Sequence, residues 1–436
     1  MNTKIFCRSD TLRFLLLWII ALISSSSFAE TFLLKDGNVV DVIGGRVMET
    51  TSLLVKDGKI VELGRDLKVP ADAKILDFNG KFIMPGLIDA HSHVAASGLL
   101  VPNQAPGSLL LQTYPRPTAY RAIRGVANLR SLLDSGFTTI RDLGLSGNYG
   151  DIALLKGINE GWIAGPHMVT SGIIIGPLGA HANAGLNPEK MDLPENDHIV
   201  TFNADGIRRG VQENIQHGAG VIKLVVEHQR LLYTTDQIKA AVDEAARAGI
   251  LVAAHAFTDK AMRNSVQAGV ATIEHGVFVS DKTLRMMESE NVILVDTTFP
   301  QGTLDIVTAA RYRIWLERLK RAYKIGVKIA FGSDVFWHVP GKTRGELSLA
   351  NLKSYVDAGI SNAEILRFIT INAADAIGVG AETGSLEVGK RADVIVVNEN
   401  PFEDINVLYD VSFVMKSGIV NKHEGKFSFI PKGFDT

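Results

Sequence analysis

The chain has 436 residues, of which 46% are apolar and 21% are charged, so it can bury a large core and is not intrinsically disordered. Its formal net charge of -2 gives no reason to expect nucleic acid or an anionic membrane surface as a partner. The length exceeds that of a typical single domain but suits an α/β barrel with an added module.

Residues 1–29 have the pattern of a cleavable signal peptide. Basic residues precede an apolar stretch at 14–23, which is too short to favour a membrane-spanning helix. A small-x-small site ends at Ala29, so we expect cleavage there and a periplasmic or secreted protein with no stable membrane span; an uncleaved anchor is the alternative. The single cysteine, Cys7, lies in this segment, which leaves the mature chain without a thiol nucleophile or disulfide.

Both flanks of the chain carry short Val- and Leu-rich runs separated by turn residues. We predict hairpin turns at 35–38 and 56–59, and a similar pattern of runs returns beyond residue 385. Residues 30–84 and 385–436 are therefore predicted to form one small β-sandwich module built from both chain ends.

The centre, residues 85–384, alternates short apolar runs with helix-patterned stretches. The runs are 86–93, 138–144, 167–172, 221–227, 251–257, 272–276, 293–298 and 329–334. The helical stretches include 120–134, 207–217, 235–248, 259–268 and 304–325. Eight strand–helix repeats predict an α/β fold with a (β/α)8 TIM barrel, in which chemistry occupies the carboxyl ends of the strands.

The first run ends in two histidines, His91 and His93. Residues two apart on a strand face the same side, so both rings can reach one metal ion. Later runs supply further polar residues at or near their ends: His255 in the fifth, His275 in the sixth and Asp334 in the eighth. Imidazole and carboxylate ligands suit Zn²⁺, with other divalent ions open.

Lys223 interrupts the fourth run, where a buried ammonium is costly unless it is paired or neutralised. It could extend to the barrel mouth or pair with Glu227. Alternatively, carbon dioxide could carboxylate the amine, and the resulting carbamate could bridge two metal ions.

The His-Ser-His at 91–93, Lys223, His255, His275 and the Gly-Ser-Asp at 332–334 together resemble the amidohydrolase superfamily. The resemblance covers nearly the whole mature chain and extends to the stretches at 83–89, 370–374 and 384–393. It is strongest for the imidazolonepropionase-like branch, which includes binuclear-zinc dipeptidases acting on Xaa-Pro or Xaa-Arg/Lys peptides and related amidases.

The resemblance implies that His91 and His93 bind the more buried metal with Asp334. It implies that His255 and His275 bind a second metal, with carboxylated Lys223 bridging both. A metal-bridging hydroxide would then attack the scissile carbonyl, and Asp334 would pass its proton to the leaving nitrogen. It also matches Tyr233 to a tyrosine that contacts the substrate carbonyl and His181 to a loop histidine near the substrate.

The sequence departs from the branch in two loops that shape the pocket. The stretch 225–232 replaces a glycine-rich segment, and 335–340 is more aromatic than expected. Within these or nearby, Arg230, His338 and Arg344 could meet a substrate carboxylate, although we favour solvated loop positions for them.

We therefore expect an exported metal-dependent amidohydrolase that cleaves a C–N bond of a small substrate, preferably a dipeptide or an N-acyl amino acid. A cyclic amide or lactone is the alternative substrate class, and a catalytically silent binding protein on the same fold is a third hypothesis. Homo-oligomerisation is left open.

Overall fold

The computed structural model of the protein describes residues 30–96, 98–100, 107–179, 196–228, 230–303 and 307–429. The predicted signal peptide and His181 lie outside these residues. Within them, every helix is too short or too polar to cross a membrane.

The described strands fall into an early group, a central group and a late group. In chain order they are β1 (Phe32–Asp41), β2 (Arg46–Lys56), β3 (Lys59–Gly64), β4 (Lys74–Asp77), β5 (Phe82–Pro85), β6 (Leu87–Ser92), β7 (Gly98–Leu99), β8 (Phe137–Asp142), β9 (His167–Thr170), β10 (Ile174–Gly176), β11 (His198–Val200), β12 (Val221–Val225), β13 (Glu227–His228), β14 (Leu231–Leu232), β15 (Leu251–Thr258), β16 (Thr272–Phe278), β17 (Ile293–Asp296), β18 (Ile329–Phe331), β19 (Trp337–His338), β20 (Val394–Val397), β21 (Phe413–Lys416), β22 (Ile419–His423) and β23 (Lys426–Phe427).

The described helices lie almost entirely between the central strands and after them. They are α1 (Gly107–Thr113), α2 (Thr118–Asp134), α3 (Gly150–Asn159), α4 (Ala204–His217), α5 (Thr235–Ala246), α6 (Asp259–Ala268), α7 (Asp281–Ser289), α8 (Ala309–Ile325), α9 (Arg344–Leu349), α10 (Leu352–Asp357), α11 (Asn362–Phe368), α12 (Ile371–Ala376) and a 3₁₀ helix at Ile405–Tyr409.

The eight predicted apolar runs correspond to parallel strands of a TIM barrel. Strands β6, β8 and β9 pair in that order, and β12, β15, β16, β17 and β18 pair in a second row. Backbone hydrogen bonds link the rows: Gly220 donates to Thr170 (2.8 Å) and Asp334 donates to His91 (2.7 Å). All residues of β6, β8 and β12 are buried, because helices cover the outer face and side chains fill the interior.

The β-module draws strands from both ends of the chain. Its nine-stranded sheet has the order β23-β22-β21-β20-β5-β1-β2-β3, with β4 pairing β1. Val394 of β20 lies opposite Pro85 of β5, so the early and late segments meet directly. Phe78 and Phe413 pack with ring centroids 5.0 Å apart in its core. The two-layer sandwich arrangement and the domain boundaries stay predictions.

One of the two predicted hairpin turns is confirmed. Asp57 and Gly58 have positive φ and connect β2 to β3. The turn predicted at 35–38 is wrong, because Asp36 (φ 53°) and Gly37 form an irregularity inside β1. Residues that tolerate positive φ serve both turns and β-bulges, so the same local signal has two structural outcomes.

Candidate active site

Six predicted metal-site residues converge at the carboxyl ends of the barrel strands. His91 lies in β6 and His93 just after it, Lys223 lies in β12, and Asp334 follows β18. The rings of His91 and His93 have centroids 5.2 Å apart, and His91 and His275 are separated by 5.0 Å. His255 of β15 continues the cluster, with its ring centroid 4.6 Å from that of His275.

Three of these residues offer their ligand atoms to one point. The Nδ1–H of His93 donates to the carbonyl of Gly144 (2.9 Å), so Nε2 is the ring nitrogen that can act as a metal ligand. His91 directs Nδ1 at the carboxylate of Glu274 (2.7 Å), which leaves Nε2 facing the same point. Asp334 Oδ1 lies 3.3 Å from His93 Nε2 and 3.5 Å from His91 Nε2. Their ligand atoms all lie within 4.8 Å of one another.

Two buried charged residues behind His91 were missed at the sequence level. Glu274 of β16 accepts from Arg141 of β8 (2.7 Å), and both side chains are completely buried. A carboxylate on the second ring nitrogen fixes the tautomer of a metal-binding histidine and raises its basicity. The available signal was a charged residue inside a buried parallel strand, the same signal that singled out Lys223.

Backbone conformation also aims the side chains. His275 and Asp334 have φ values of 72° and 51°, a left-handed region that non-glycine residues seldom adopt. Asp89 secures the segment before Asp334 by accepting from the backbone N–H (2.8 Å) and hydroxyl (2.6 Å) of Ser333. Burial raises the pKa of Asp89 to about 6 despite those hydrogen bonds.

Lys223 is fully buried, which excludes an extension of its amine to solvent. Glu227 does not pair with it, because that carboxylate accepts from the backbone amides of Phe257 (2.6 Å) and Thr258 (2.7 Å). The Lys223 amine instead lies 3.4 Å from His91 Nε2, among the candidate ligands. Burial lowers its pKa to about 8, so the neutral amine is populated near physiological pH.

His255 and His275 form the outer part of the cluster. Burial, followed by the charges of His275 and Lys223, lowers the pKa of His255 well below its ordinary value. The neutral form is the one that binds metal ions. The Nδ1 of His275 is hydrogen-bonded to the hydroxyl of Thr297 (2.7 Å). Phe257 packs against both rings, at centroid distances of 4.5 and 5.1 Å.

The chemistry of this donor set fits divalent metal ions. Imidazole nitrogens and a carboxylate face one another, and Lys223 is the buried cation among them as far as the described residues extend. Nitrogen and oxygen ligands of this kind suit Zn²⁺.

The other predicted residues lie in different environments. Tyr233 is buried, and its hydroxyl is hydrogen-bonded to the side chain of Thr201 and to its carbonyl (3.2 Å), so its contact with substrate stays a prediction. Arg230 is exposed. Arg344 is not a solvated loop residue: it is buried and donates to the carbonyls of Val335 and Ala96 (3.2 Å).

A cavity of about 190 Å³ opens beside His275 and Asp334. Its remaining walls are Phe257, Val277, Thr297, Thr298, Phe299, Trp315, Arg318 and Phe336. The aromatic loop at 335–340 therefore contributes, through Phe336, to the surroundings of the histidine cluster.

The model of the amidohydrolase family matches residues 82–422. The chain belongs to the amidohydrolase family. Ochratoxinase of Aspergillus niger is 26% identical over 425 residues, covering 87% of this chain and 85% of that protein. Imidazolonepropionase of Brevibacillus brevis is 26% identical over 442 residues, covering 91% and 96%.

Among solved structures, a prolidase complexed with N-methylphosphonate-L-proline is similar to this chain, with a TM-score of 0.77 and 29% identity. The similarity covers 90% of this chain and all of that one. The resemblance inferred from the sequence is thus confirmed: this amidohydrolase is a hydrolase that acts on carbon–nitrogen bonds.

Proposed function

We propose that the protein is an exported, metal-dependent amidohydrolase that cleaves a small amide, with a dipeptide or N-acyl amino acid as the preferred substrate. The observation that carries this proposal is the convergence of His91 Nε2, His93 Nε2 and Asp334 Oδ1. These three ligand atoms lie within 4.8 Å of one another, and nitrogen and oxygen ligands of this kind suit Zn²⁺.

Two divalent ions, preferably Zn²⁺, fit the donor set. His91, His93 and Asp334 would hold one ion, and His255 and His275 would hold the other. Bound there, the ions would supply an acidified water and polarise the substrate carbonyl.

A carbamate on Lys223, formed with carbon dioxide, would supply the bridging oxygens. The complete burial of this side chain and the engagement of Glu227 elsewhere support the modification. The 3.4 Å distance from its amine to His91 Nε2 also supports the modification, because it places the end of the Lys223 side chain beside a candidate metal ligand. Carboxylation replaces a buried cation by an anion, which matches the two positive ions proposed beside it.

Asp334 would carry the proton during catalysis. Its side chain is 13% exposed, whereas those of His91 and His93 are at most 3% exposed, so it is the ligand that substrate can reach. Its carboxylate would take a proton from the attacking water and deliver it to the leaving nitrogen. The hydrogen bonds from Ser333 to Asp89 and from Asp334 to His91 would hold it in place.

The relatives support two substrate classes. The prolidase and a Xaa-Pro dipeptidase, the latter 25% identical with a TM-score of 0.76, favour a dipeptide. The imidazolonepropionases favour the cyclic amide or lactone that we keep as the second candidate. Export and a mature chain that starts at Glu30 would be tested by the mass of the protein isolated from its host.

The test compares Asp334→Asn with Asp375→Asn, the same change at a half-exposed carboxylate paired with Lys328. Wild-type protein and both variants are loaded with Zn²⁺, assayed for metal by elemental analysis and screened on dipeptides, N-acyl amino acids, lactams and lactones. We expect wild-type and Asp375→Asn protein to hydrolyse a dipeptide or N-acyl amino acid, and Asp334→Asn to be inactive. Wild-type protein that binds no Zn²⁺ and turns over no substrate would instead indicate a binding protein.

A further inference from the structure

The cavity beside the cluster is apolar where it meets the substrate position. Phe257, Phe299, Trp315 and Phe336 surround it, with Val277 from the end of β16. Phe299 is anchored by Trp337, with ring centroids 4.8 Å apart and an angle of 78° between them. Edge-to-face packing of this kind stabilises the position of Phe299 in the wall.

The cationic side chain in the described wall of the cavity has its charge balanced there. Arg318 of α8 is 2% exposed, and its guanidinium lies 2.6 Å from Asp296. It also donates to the hydroxyl of Thr298 (2.9 Å), which in turn donates to Asp296 (2.8 Å). An anionic ligand group entering here would lose its hydration without gaining an uncompensated positive charge from Arg318.

The size of the cavity sets the size of its occupant. An apolar cavity of roughly 150 Å³ takes up one benzene molecule. The volume of about 190 Å³ therefore accommodates one six-membered ring.

We propose that this cavity is a specificity subsite for an uncharged, ring-sized hydrophobic group of the substrate. The inference rests on the proposed function for the statement that a substrate is cleaved beside it. His275 and Asp334 form one side of the cavity, so a group bound there belongs to the same molecule as the scissile amide. The substrate class is an amide with a phenyl or similar side chain next to the cleaved bond.

The experiment uses the Zn²⁺-loaded full-length protein and two non-hydrolysable probes, toluene and benzylamine, followed by ligand-detected nuclear magnetic resonance. Trp315→Ala removes one wall, and Trp315→Phe keeps an aromatic wall. Trp162→Ala is the matched control, because this half-exposed residue follows α3 and does not contact the cavity. We expect saturable toluene binding in wild-type, Trp315→Phe and Trp162→Ala protein, and binding at least about tenfold weaker in Trp315→Ala.

Benzylamine should bind at least about tenfold more weakly than toluene. In parallel, kcat/KM is measured for three N-acyl amino acids: N-acetyl-phenylalanine, N-acetyl-alanine and N-acetyl-lysine. We expect a preference for the phenylalanine compounds that Trp315→Ala removes. Equal hydrolysis of all three would overturn the subsite while leaving the proposed function intact.

Toluene binding that depends on Trp315, without hydrolysis of any amide, would support the cavity and count against the proposed function. Benzylamine binding that equals or exceeds toluene binding would overturn the inference. Loss of toluene binding in Trp162→Ala alone would place the probe elsewhere and overturn it as well.

Discussion

Two regions of this amidohydrolase each bring together a lysine, a histidine and an aspartate in a buried setting. One region forms the candidate metal site, and the other forms a network of hydrogen bonds. At the barrel mouth, Lys223 lies among histidines and Asp334. At the seam between the barrel and the β-module, Lys416 of β21 is largely buried near His167 and Asp393. Burial lowers the pKa of each lysine to about 8. The pKa of the lysine therefore does not distinguish the two regions, and the difference between them lies in hydrogen bonding.

Every charged group of the seam has a matched partner. Lys416 donates to the carbonyl of Gly165 (2.6 Å), and Asp393 accepts from the backbone of Ser417 (2.9 Å) and the hydroxyl of Thr383 (3.0 Å). His167 completes this network, 3.3 Å from Asp393. At the mouth, by contrast, nitrogen and oxygen acceptors face each other. The comparison teaches that residue type and burial alone do not single out a candidate metal centre, whereas the convergence of several possible ligand atoms at one point does.

The largest contrast should come from Lys223→Ala and Lys416→Ala. Loss of the proposed bridging ligand would remove several kcal/mol of transition-state stabilisation, so we expect Lys223→Ala to lower kcat/KM by at least about a thousandfold. Lys416→Ala should keep its kcat/KM and lose only conformational stability. Steady-state hydrolysis of the best substrate measures kcat/KM for both variants.

Acetate supplies a control for the carbamate. It can occupy the space that Lys223→Ala leaves and offer two oxygens in place of the carbamate, so it should restore part of the activity of that variant alone. If Lys223→Ala is as active as wild-type protein, Lys223 is not a metal ligand and the comparison between the regions fails.

The next effect concerns the carboxylate behind His91. Glu274→Gln leaves Arg141 buried beside a neutral amide, so we expect the free energy of unfolding to fall by about 3–5 kcal/mol. Zn²⁺ affinity should fall about 10–100-fold, because His91 loses the carboxylate that orients and polarises its ring. Competition with a chelator measures the affinity, and urea unfolding measures the stability.

Glu317→Gln is the matched control, since that exposed carboxylate pairs with Lys320 (3.4 Å) on the surface and its loss should change neither quantity. Unchanged Zn²⁺ affinity in Glu274→Gln would show that His91 does not depend on its carboxylate partner.

The sequence predicted the barrel well and the site in part. Eight apolar runs interrupted at their ends by His91, Lys223, His255, His275 and Asp334 are a local signal, because burial and strand ends are both visible in the sequence. The role of Glu274 was not visible, since it depends on β6, β8 and β16 meeting inside the barrel. The location of Arg344 was missed for the same reason: its partners are carbonyls that only folding brings near.

A smaller effect separates two buried aspartates by pH. Burial and then the charge of Asp142 raise the pKa of Asp151, behind the mouth, to about 7. Its contribution to stability is therefore present below about pH 4 and lost as the pH rises through about 7, on the order of 4 kcal/mol at most. Asp393 has the opposite shift: burial raises its pKa, but hydrogen bonds from His167 and neighbours outweigh this and leave the pKa below its ordinary value.

Stability from Asp393 is thus present above its ordinary pKa of 3.8 and lost as the pH falls through the folded value. Urea unfolding between roughly pH 3 and 8, in chelator, measures both contributions. Asp151→Asn should flatten the decline in the free energy of unfolding as the pH rises above 4. Asp393→Asn should flatten the decline in that free energy as the pH falls on the acid side. The same pH profile for both variants would contradict the difference between mouth and seam.

The smallest effect is expected from His167→Gln in the seam, which weakens one hydrogen-bonded pair with Asp393 and a contact with Ser417 (3.1 Å). The free energy of unfolding should fall by about 1 kcal/mol, while Zn²⁺ content and kcat/KM stay at wild-type levels. His91→Gln, the same change at the mouth, should lose Zn²⁺ and activity together. His167 is the first residue of β9, at the amino end of the strand, whereas the mouth lies at the carboxyl ends. Loss of Zn²⁺ in His167→Gln would therefore mean that the seam affects metal binding at the mouth, and the two regions would then be one functional unit.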